Sequence, residues 1–198
     1  MFRRLLPLLI VLAAACGETL EDSVPGALEE RDSVSSGPES SDGTPTPTVP
    51  DQPDLAPNAV VERVVDGDTI IAEIAGSRER VRLLGIDTPE SVAENRPDQC
   101  FGAESADYLR SVLPEGTDVT LIRDVESRDQ FDRLLAYVVR SSDQLFVNLD
   151  LLQRGYAGVL IYEPNSFYRD LFEAAQDIAA RDDIGLWGVC GGPDVPLE

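Results

Sequence analysis

Three short stretches of the chain concentrate the ionisable residues that chemistry would need. Val65-Asp66-Gly67-Asp68-Thr69 stands where one apolar run gives way to the next. Arg82-Leu83-Leu84-Gly85-Ile86-Asp87-Thr88-Pro89-Glu90 closes a strand-like run with two acids, and Pro89 restricts the loop between them. Asp129-Gln130-Phe131-Asp132-Arg133-Leu134-Leu135-Ala136-Tyr137 is a turn running into another strand, with Arg133 at its start. Carboxylate oxygens suit a hard cation, and an arginine fork binds phosphate oxygens two at a time. The chain has no His, and all 16 of its basic residues are Arg, so imidazole bases and imidazole metal ligands are excluded. Carboxylates and guanidiniums must do any chemistry. Taken singly, Asp66-Gly67 also reads as a hairpin turn, which accounts for Asp66 and leaves Asp68 open to both readings.

The elements that would position these residues follow from the apolar pattern. Short alternations at 60–65, 69–74, 81–86, 119–122 and 134–139 predict five strands. Between the third and fourth, Ala103, Ala106, Leu109, Val112 and Leu113 share one face of a predicted helix over 103–113, stopped by Pro114-Glu115-Gly116. Downstream, Asn148 is placed to cap a short helix that runs through Arg154 to Gly155. Ser166 is placed to cap a longer one carrying Phe167, Leu171, Ala175 and Ile178 at helical spacing. Five strands with a helix between the third and fourth is the order of an OB-type barrel. The expected class is therefore α+β: a five-stranded OB-fold β-barrel with an inserted helix and two C-terminal helices.

Upstream of this domain the texture differs. Arg3 and Arg4, the apolar run 5–12 and Ala13-Ala14-Ala15 read as a signal peptide over 1–15. The cut would fall before Cys16, in the pattern of a bacterial lipobox, so Cys16 is the expected lipidation site. An ordinary secretory signal followed by a chance cysteine is the alternative, and either version exports the protein. With lipid, it would sit on the outer face of the cell membrane. Residues 16–57 form an acidic, Pro- and Ser-rich tether, and 58–198 the domain. Export makes Cys100 and Cys190 candidates for one disulfide, worth roughly 4 to 5 kcal/mol of chain entropy before any strain. Two free buried thiols are the other reading.

Charge runs against a polyanionic partner. The formal net charge is −21, and residues 58–198 alone hold 27 acids against 13 arginines. Such a surface repels nucleic acid and anionic lipid. The absence of Lys beside so much acid fits either a GC-rich genome or a salt-adapted source.

Together, Asp66-Gly67-Asp68-Thr69, Arg82-Leu83-Leu84-Gly85-Ile86-Asp87-Thr88-Pro89-Glu90 and Arg133-Leu134-Leu135-Ala136-Tyr137 resemble the three signatures of the staphylococcal nuclease (thermonuclease) family. The resemblance covers 59–187. It includes Phe101-Gly102-Ala103-Glu104-Ser105-Ala106, Asn148 with Gly155 and Ala157, and Tyr162-Glu163-Pro164-Asn165. It implies a Ca²⁺-dependent phosphodiesterase, expected as a monomer, whose partner is a DNA or RNA substrate. The family's metal positions fall on Asp68, Asp87 and the main-chain carbonyl of Thr88. Arg82 and Arg133 would stabilise the transition state, and Glu90 would orient or deprotonate the attacking water. The products would carry 3′-phosphates. Phe131 and Tyr162 fall where the family keeps aromatics near the nucleotide, although core packing is an equal reading of Phe131.

The sequence departs from the pattern at Gln130, where a phosphate-binding lysine is expected, at Leu160 in place of a tyrosine, and at Asp132 where glycine is usual. Two other classes of function compete. One is an OB module that holds nucleic acid or protein without cutting, but every ionic position such modules lose is filled here. The other is a glycosidase using Asp87 and Glu90 as paired carboxylates, which leaves both arginines unexplained.

Overall fold

The structure is a computed structural model and describes residues 56–91 and 99–197. The proposed signal peptide, Cys16 and the tether up to residue 55 lie outside the described residues. Among the described residues no helix is long and apolar enough to cross a membrane.

Three strands build the first half of the barrel: β1 (Ala59–Val64), β2 (Thr69–Ile74) and β3 (Ser77–Leu83). The β2–β3 hairpin turns on Ala75-Gly76, both with positive φ (51° and 81°), as the tight two-residue turn requires. A two-residue strand, β4 (Ile86–Asp87), follows, and then α1 (Gly102–Val112), β5 (Asp118–Ile122) and β6 (Leu134–Arg140). The ring runs β3-β2-β1-β5-β6 and closes through a parallel β3–β6 pairing in which Arg82 stands opposite Leu135. Closure removes the free edges and fills the interior with Val61, Ile70, Val81, Leu83, Val119 and Val138, all essentially inaccessible. The expected α+β class and five-stranded closed barrel are therefore found.

Two short strands, β7 (Leu145–Phe146) and β8 (Gly158–Val159), flank α2 (Val147–Gln153), and the chain ends in α3 (Arg169–Arg181) and α4 (Leu186–Cys190). Three local expectations need correction. The third predicted strand, 81–86, is in fact two: β3 ends at Leu83, and Gly85 (φ 76°) redirects the chain so that β4 pairs with β8 instead. A β-carbon at Gly85 would stand 2.5 Å from the Phe172 ring, so only glycine lets the bend pass this close to α3. Asn148 does not cap α2, which begins one residue earlier with Phe146 at the cap position. Its buried amide accepts from Val138 N–H (2.8 Å) and donates to the Leu84 carbonyl (2.8 Å), tying the helix to the strand break. Ser166 does not cap the long helix, which starts at Arg169 after Tyr168.

The buried face of α3 also differs from the one expected. Phe172, Ala175 and Ala179 point inward, while Phe167 is 78% exposed. Phe172 joins Tyr137, Phe146 and Tyr168 in an aromatic cluster with edge, tilted and stacked contacts, which fastens α3 to β6. On α1 the buried face holds Ala106, Leu109 and Val112 as expected, but Ala103 in the first turn is exposed. Cys100 and Cys190 form the expected disulfide, with Cα atoms 6.0 Å apart.

Candidate active site at the barrel mouth

Asp68 lies in the β1–β2 connection and is buried. Asp66 shapes that connection, its Oδ1 accepting from Asp68 N–H (3.1 Å), which is the turn role expected of it. Asp68 Oδ1 accepts from the Thr69 hydroxyl (3.0 Å), and Oδ2 accepts from the Thr88 N–H (3.1 Å). Asp87 projects from β4, directly beyond the Gly85 bend. Between the two acids stands Arg82, also buried. Its Nη2 lies 3.0 Å from Asp68 Oδ2 and 2.6 Å from Asp87 Oδ1, while Nη1 donates to the carbonyls of Leu83 (2.7 Å) and Ile86 (2.8 Å). Four contacts from one guanidinium leave it no alternative rotamer.

The electrostatics are unbalanced. Burial pushes the Asp68 carboxyl up to about 7, against the pull of Arg82, and the charges of Asp66 and Asp87 add to the rise. Asp87 is raised as well, first by burial, with Arg82 opposing and Asp194, Glu90 and Asp66 reinforcing. One arginine thus faces two acids and a surrounding field of others, a deficit of positive charge that a bound cation would relieve. Among the described residues no three His, Cys, Asp or Glu side chains group to hold a metal ion. The donors that fit a hard cation are therefore two carboxylates, Asp68 and Asp87, with the Thr88 carbonyl next in the chain.

Arg133 enters from the start of β6. Its Nε donates to Asp129 Oδ2 (2.6 Å), and its guanidinium lies 5.6 Å from the Phe131 ring centroid. Asp129 Oδ1 also accepts the main-chain N–H groups of Phe131 and Arg133, both at 2.9 Å, so one carboxylate shapes the turn and aims the arginine. Burial raises the Asp129 carboxyl, but the hydrogen bonds from Arg133 and the turn N–H groups outweigh it and hold the group below its ordinary value. Arg82 and Arg133 line one cavity of about 280 Å³, together with Phe131, Tyr162, Leu160 and Asn165.

The two guanidiniums, one from β3 and one from the turn before β6, line one opening. The sequence model of the family described as "Staphylococcal nuclease homologue" matches residues 80–189, more than half the chain. The chain belongs to the staphylococcal nuclease family. Thermonuclease of Staphylococcus intermedius is 41% identical over 128 residues, which cover 65% of this chain and 74% of that protein. Endonuclease YncB of Bacillus subtilis (strain 168) is 33% identical over 135 residues, 68% of this chain and 63% of its own. Endonuclease YhcR of the same organism is 35% identical over 137 residues, but these make up only 11% of that protein.

Within this staphylococcal nuclease fold, Asp68, Arg82, Asp87 and Thr88 form one hydrogen-bonded group, and Arg133 shares the cavity with Arg82. Glu90 is exposed. Its carboxylate makes no hydrogen bond or ion pair with the described residues, although its charge acts on Asp87. Phe131 is 71% exposed and Tyr162 62% exposed, so the packing reading of Phe131 fails and both rings face the opening. Asp132 has φ 61°, which explains why glycine is usual there: only glycine takes that conformation without cost, and Asp tolerates it better than most side chains. Gln130 and Leu160 both line the cavity, so the departures from the family pattern fall inside the site.

Sequence reading missed the supporting residues. Asp129 carried a signal, an acid four residues before Arg133 across a turn. Asn165 stood in the matched stretch Tyr162-Glu163-Pro164-Asn165 without a role: its buried amide bridges Glu126 N–H (2.8 Å) and the Glu126 carbonyl (3.1 Å), stitching two cavity loops together.

Proposed function

We propose that this staphylococcal nuclease family member is a Ca²⁺-dependent phosphodiesterase that hydrolyses DNA and RNA and leaves 3′-phosphorylated ends. Relatives named thermonuclease and endonuclease support the coarse reading, a nuclease. The observation that carries the finer one is that Arg82, ion-paired to both Asp68 and Asp87, lines the same cavity as Arg133.

Asp68, Asp87 and the Thr88 carbonyl would hold the ion, with water and a phosphate oxygen completing its shell. When bound, it supplies Lewis acidity at the phosphoryl oxygen. Arg82 and Arg133 donate to the non-bridging oxygens, whose charge grows as the phosphorus becomes five-coordinate. Neither guanidinium gives up a proton readily, so their role is electrostatic. Glu90 orients the attacking water and takes its proton. The water oxygen bonds to phosphorus, the bond to the 5′ oxygen breaks, and the departing alkoxide takes a proton from solvent, to which Glu90 later returns its own. Phe131 and Tyr162, exposed at the opening, offer faces on which a base can stack, which is an affinity source independent of surface charge.

The test uses single-stranded DNA and RNA with Ca²⁺ or a chelator, at low and high salt. Expected are Ca²⁺-dependent products with 3′-phosphates, lost in Arg133→Ala. Tight binding without products would replace the enzyme with a binding module.

Export and a lipid on Cys16, placing the protein on the outer membrane face, belong to the same proposal. The Cys100–Cys190 bond supports an oxidising compartment. Radiolabelled palmitate incorporated by the wild type and absent from Cys16→Ser is the expected result. Equal labelling of both would refute it.

A further inference from the structure

Among the described residues, the hydrogen bonds of Glu90 are made by its main chain. Its N–H donates to Gln99 Oε1 (2.6 Å), and its carbonyl accepts the Gln99 N–H (2.8 Å). Gln99 therefore grips the Glu90 peptide from both sides. On its other side Gln99 faces the end of the chain: its Nε2 donates to Asp194 Oδ1 (3.2 Å), it forms an antiparallel bridge with Pro196, and Cys100 N–H donates to the Val195 carbonyl (2.7 Å). Next to this bridge, the Cys100–Cys190 disulfide fastens the start of the same terminal segment.

The segment also touches the other half of the site. A β-carbon on Gly158 would stand 3.2 Å from Pro193 Cγ, and Gly158 is the strand partner of Asp87. The charge of Asp194 is felt at Asp87. Gly102, at the first position of α1, closes the arrangement from behind, since a β-carbon there would stand 2.6 Å from the Glu90 carbonyl oxygen. All of these tail contacts lie beyond residue 189, where the family match ends.

We infer that the terminal segment 190–197, fastened by the Cys100–Cys190 disulfide, positions Glu90 for its work on the water through Gln99. Gln99 is a positioning residue: its side-chain amide is engaged by the Glu90 N–H and by Asp194, and it acts by fixing where the Glu90 backbone stands. Breaking the disulfide releases the segment that Gln99 leans on, so the bond contributes to turnover as well as to stability. The inference rests on the role proposed for Glu90.

Steady-state cleavage of single-stranded DNA by the full chain with Ca²⁺ tests it. Gln99→Ala is expected to lower kcat on the order of tenfold, since a displaced catalytic group costs rate rather than binding, with KM within about twofold. In a Glu90→Gln background the same substitution is expected to cost nothing further. The Cys100→Ser/Cys190→Ser pair is expected to lower kcat in the same direction, and Gln99→Ala decides alone should that pair fail to fold. Equal loss from Gln99→Ala in both backgrounds, or no loss in either, overturns the inference while leaving the role of Glu90 intact. Wild-type turnover in Glu90→Gln removes that role and the inference together. A wild-type chain that does not cut removes the nuclease reading with both.

Discussion

Arg82 and Asp87 are five residues apart, and the Gly85 bend brings the guanidinium to 2.6 Å from the carboxylate while the same nitrogen holds Asp68 at 3.0 Å. The arginine assigned to the phosphate is thus also the counter-ion of the two acids assigned to the metal. Arg82→Ala would leave two crowded carboxylates without their cation, which costs on the order of 3 kcal/mol when the site is buried. The expected result is a large fall in urea midpoint without Ca²⁺ and partial recovery with it. A midpoint indifferent to Ca²⁺ in this variant would argue against a cation between Asp68 and Asp87.

Arg133 behaves differently. Its ion pair with Asp129 lies near the surface, so Arg133→Ala should cost only ~1 kcal/mol of stability. Activity should fall by about 10² to 10³, the loss typical of one oxyanion donor. Chemical denaturation and initial rates on one preparation separate the two effects.

Asp129 predicts a pH signature. Its carboxyl is held below its ordinary value, so the stabilisation it supplies is complete above the unfolded-state value of about 4 and is lost as pH falls through the lower folded-state value. The stability gap between wild type and Asp129→Asn should therefore be constant from pH 7 to about 5 and shrink below about 4. Urea titrations at a series of pH values measure it, and a gap that widens on acidification would contradict the assignment.

Gly67→Ala probes the wall proposed to hold the metal without touching a charged group. The new β-carbon would meet Thr88 at Oγ1 (2.5 Å) and Cβ (2.8 Å), and rotation about χ1 cannot move a Cβ away. Thr88 must shift, taking with it the N–H that holds Asp68 and the carbonyl offered to the ion. Expected is weaker Ca²⁺ activation, read as a rise in the Ca²⁺ concentration needed for half-maximal rate. An unchanged Ca²⁺ dependence would mean that Thr88 is not part of that wall.

The strands 69–74 and 134–139 came within a residue of β2 and β6 because each is a short apolar run, buried along most of its length and bounded by polar turn residues. The third strand misled because Leu83, Leu84 and Ile86 are all buried: an apolar run says that residues are inside, and says nothing of a bend between them. Helix starts were missed for a related reason. Asn148 and Ser166 have the chemistry of caps, but Asn148 is taken by Val138 and Leu84, partners remote in sequence, and tertiary contacts outcompete a local preference worth about 1 kcal/mol. Phe167 lies before the helix and is exposed, and Phe172 is inside because its ring packs against Tyr137, Phe146 and Tyr168.

What the order of residues determined alone was the inventory: two acids and an arginine close together in the chain, an arginine after a turn, no imidazole anywhere, and enough short apolar runs to build a barrel. Such features are local, and local chemistry can be read along a line. Only the closed barrel decided that Arg133 would share an opening with Arg82, through a parallel pairing of strands far apart in the chain. Only the folded terminus decided that Gln99 would stand between Glu90 and Asp194. Hydrogen bonds and ion pairs act over a few Å in space, and folding sets that separation independently of distance along the chain.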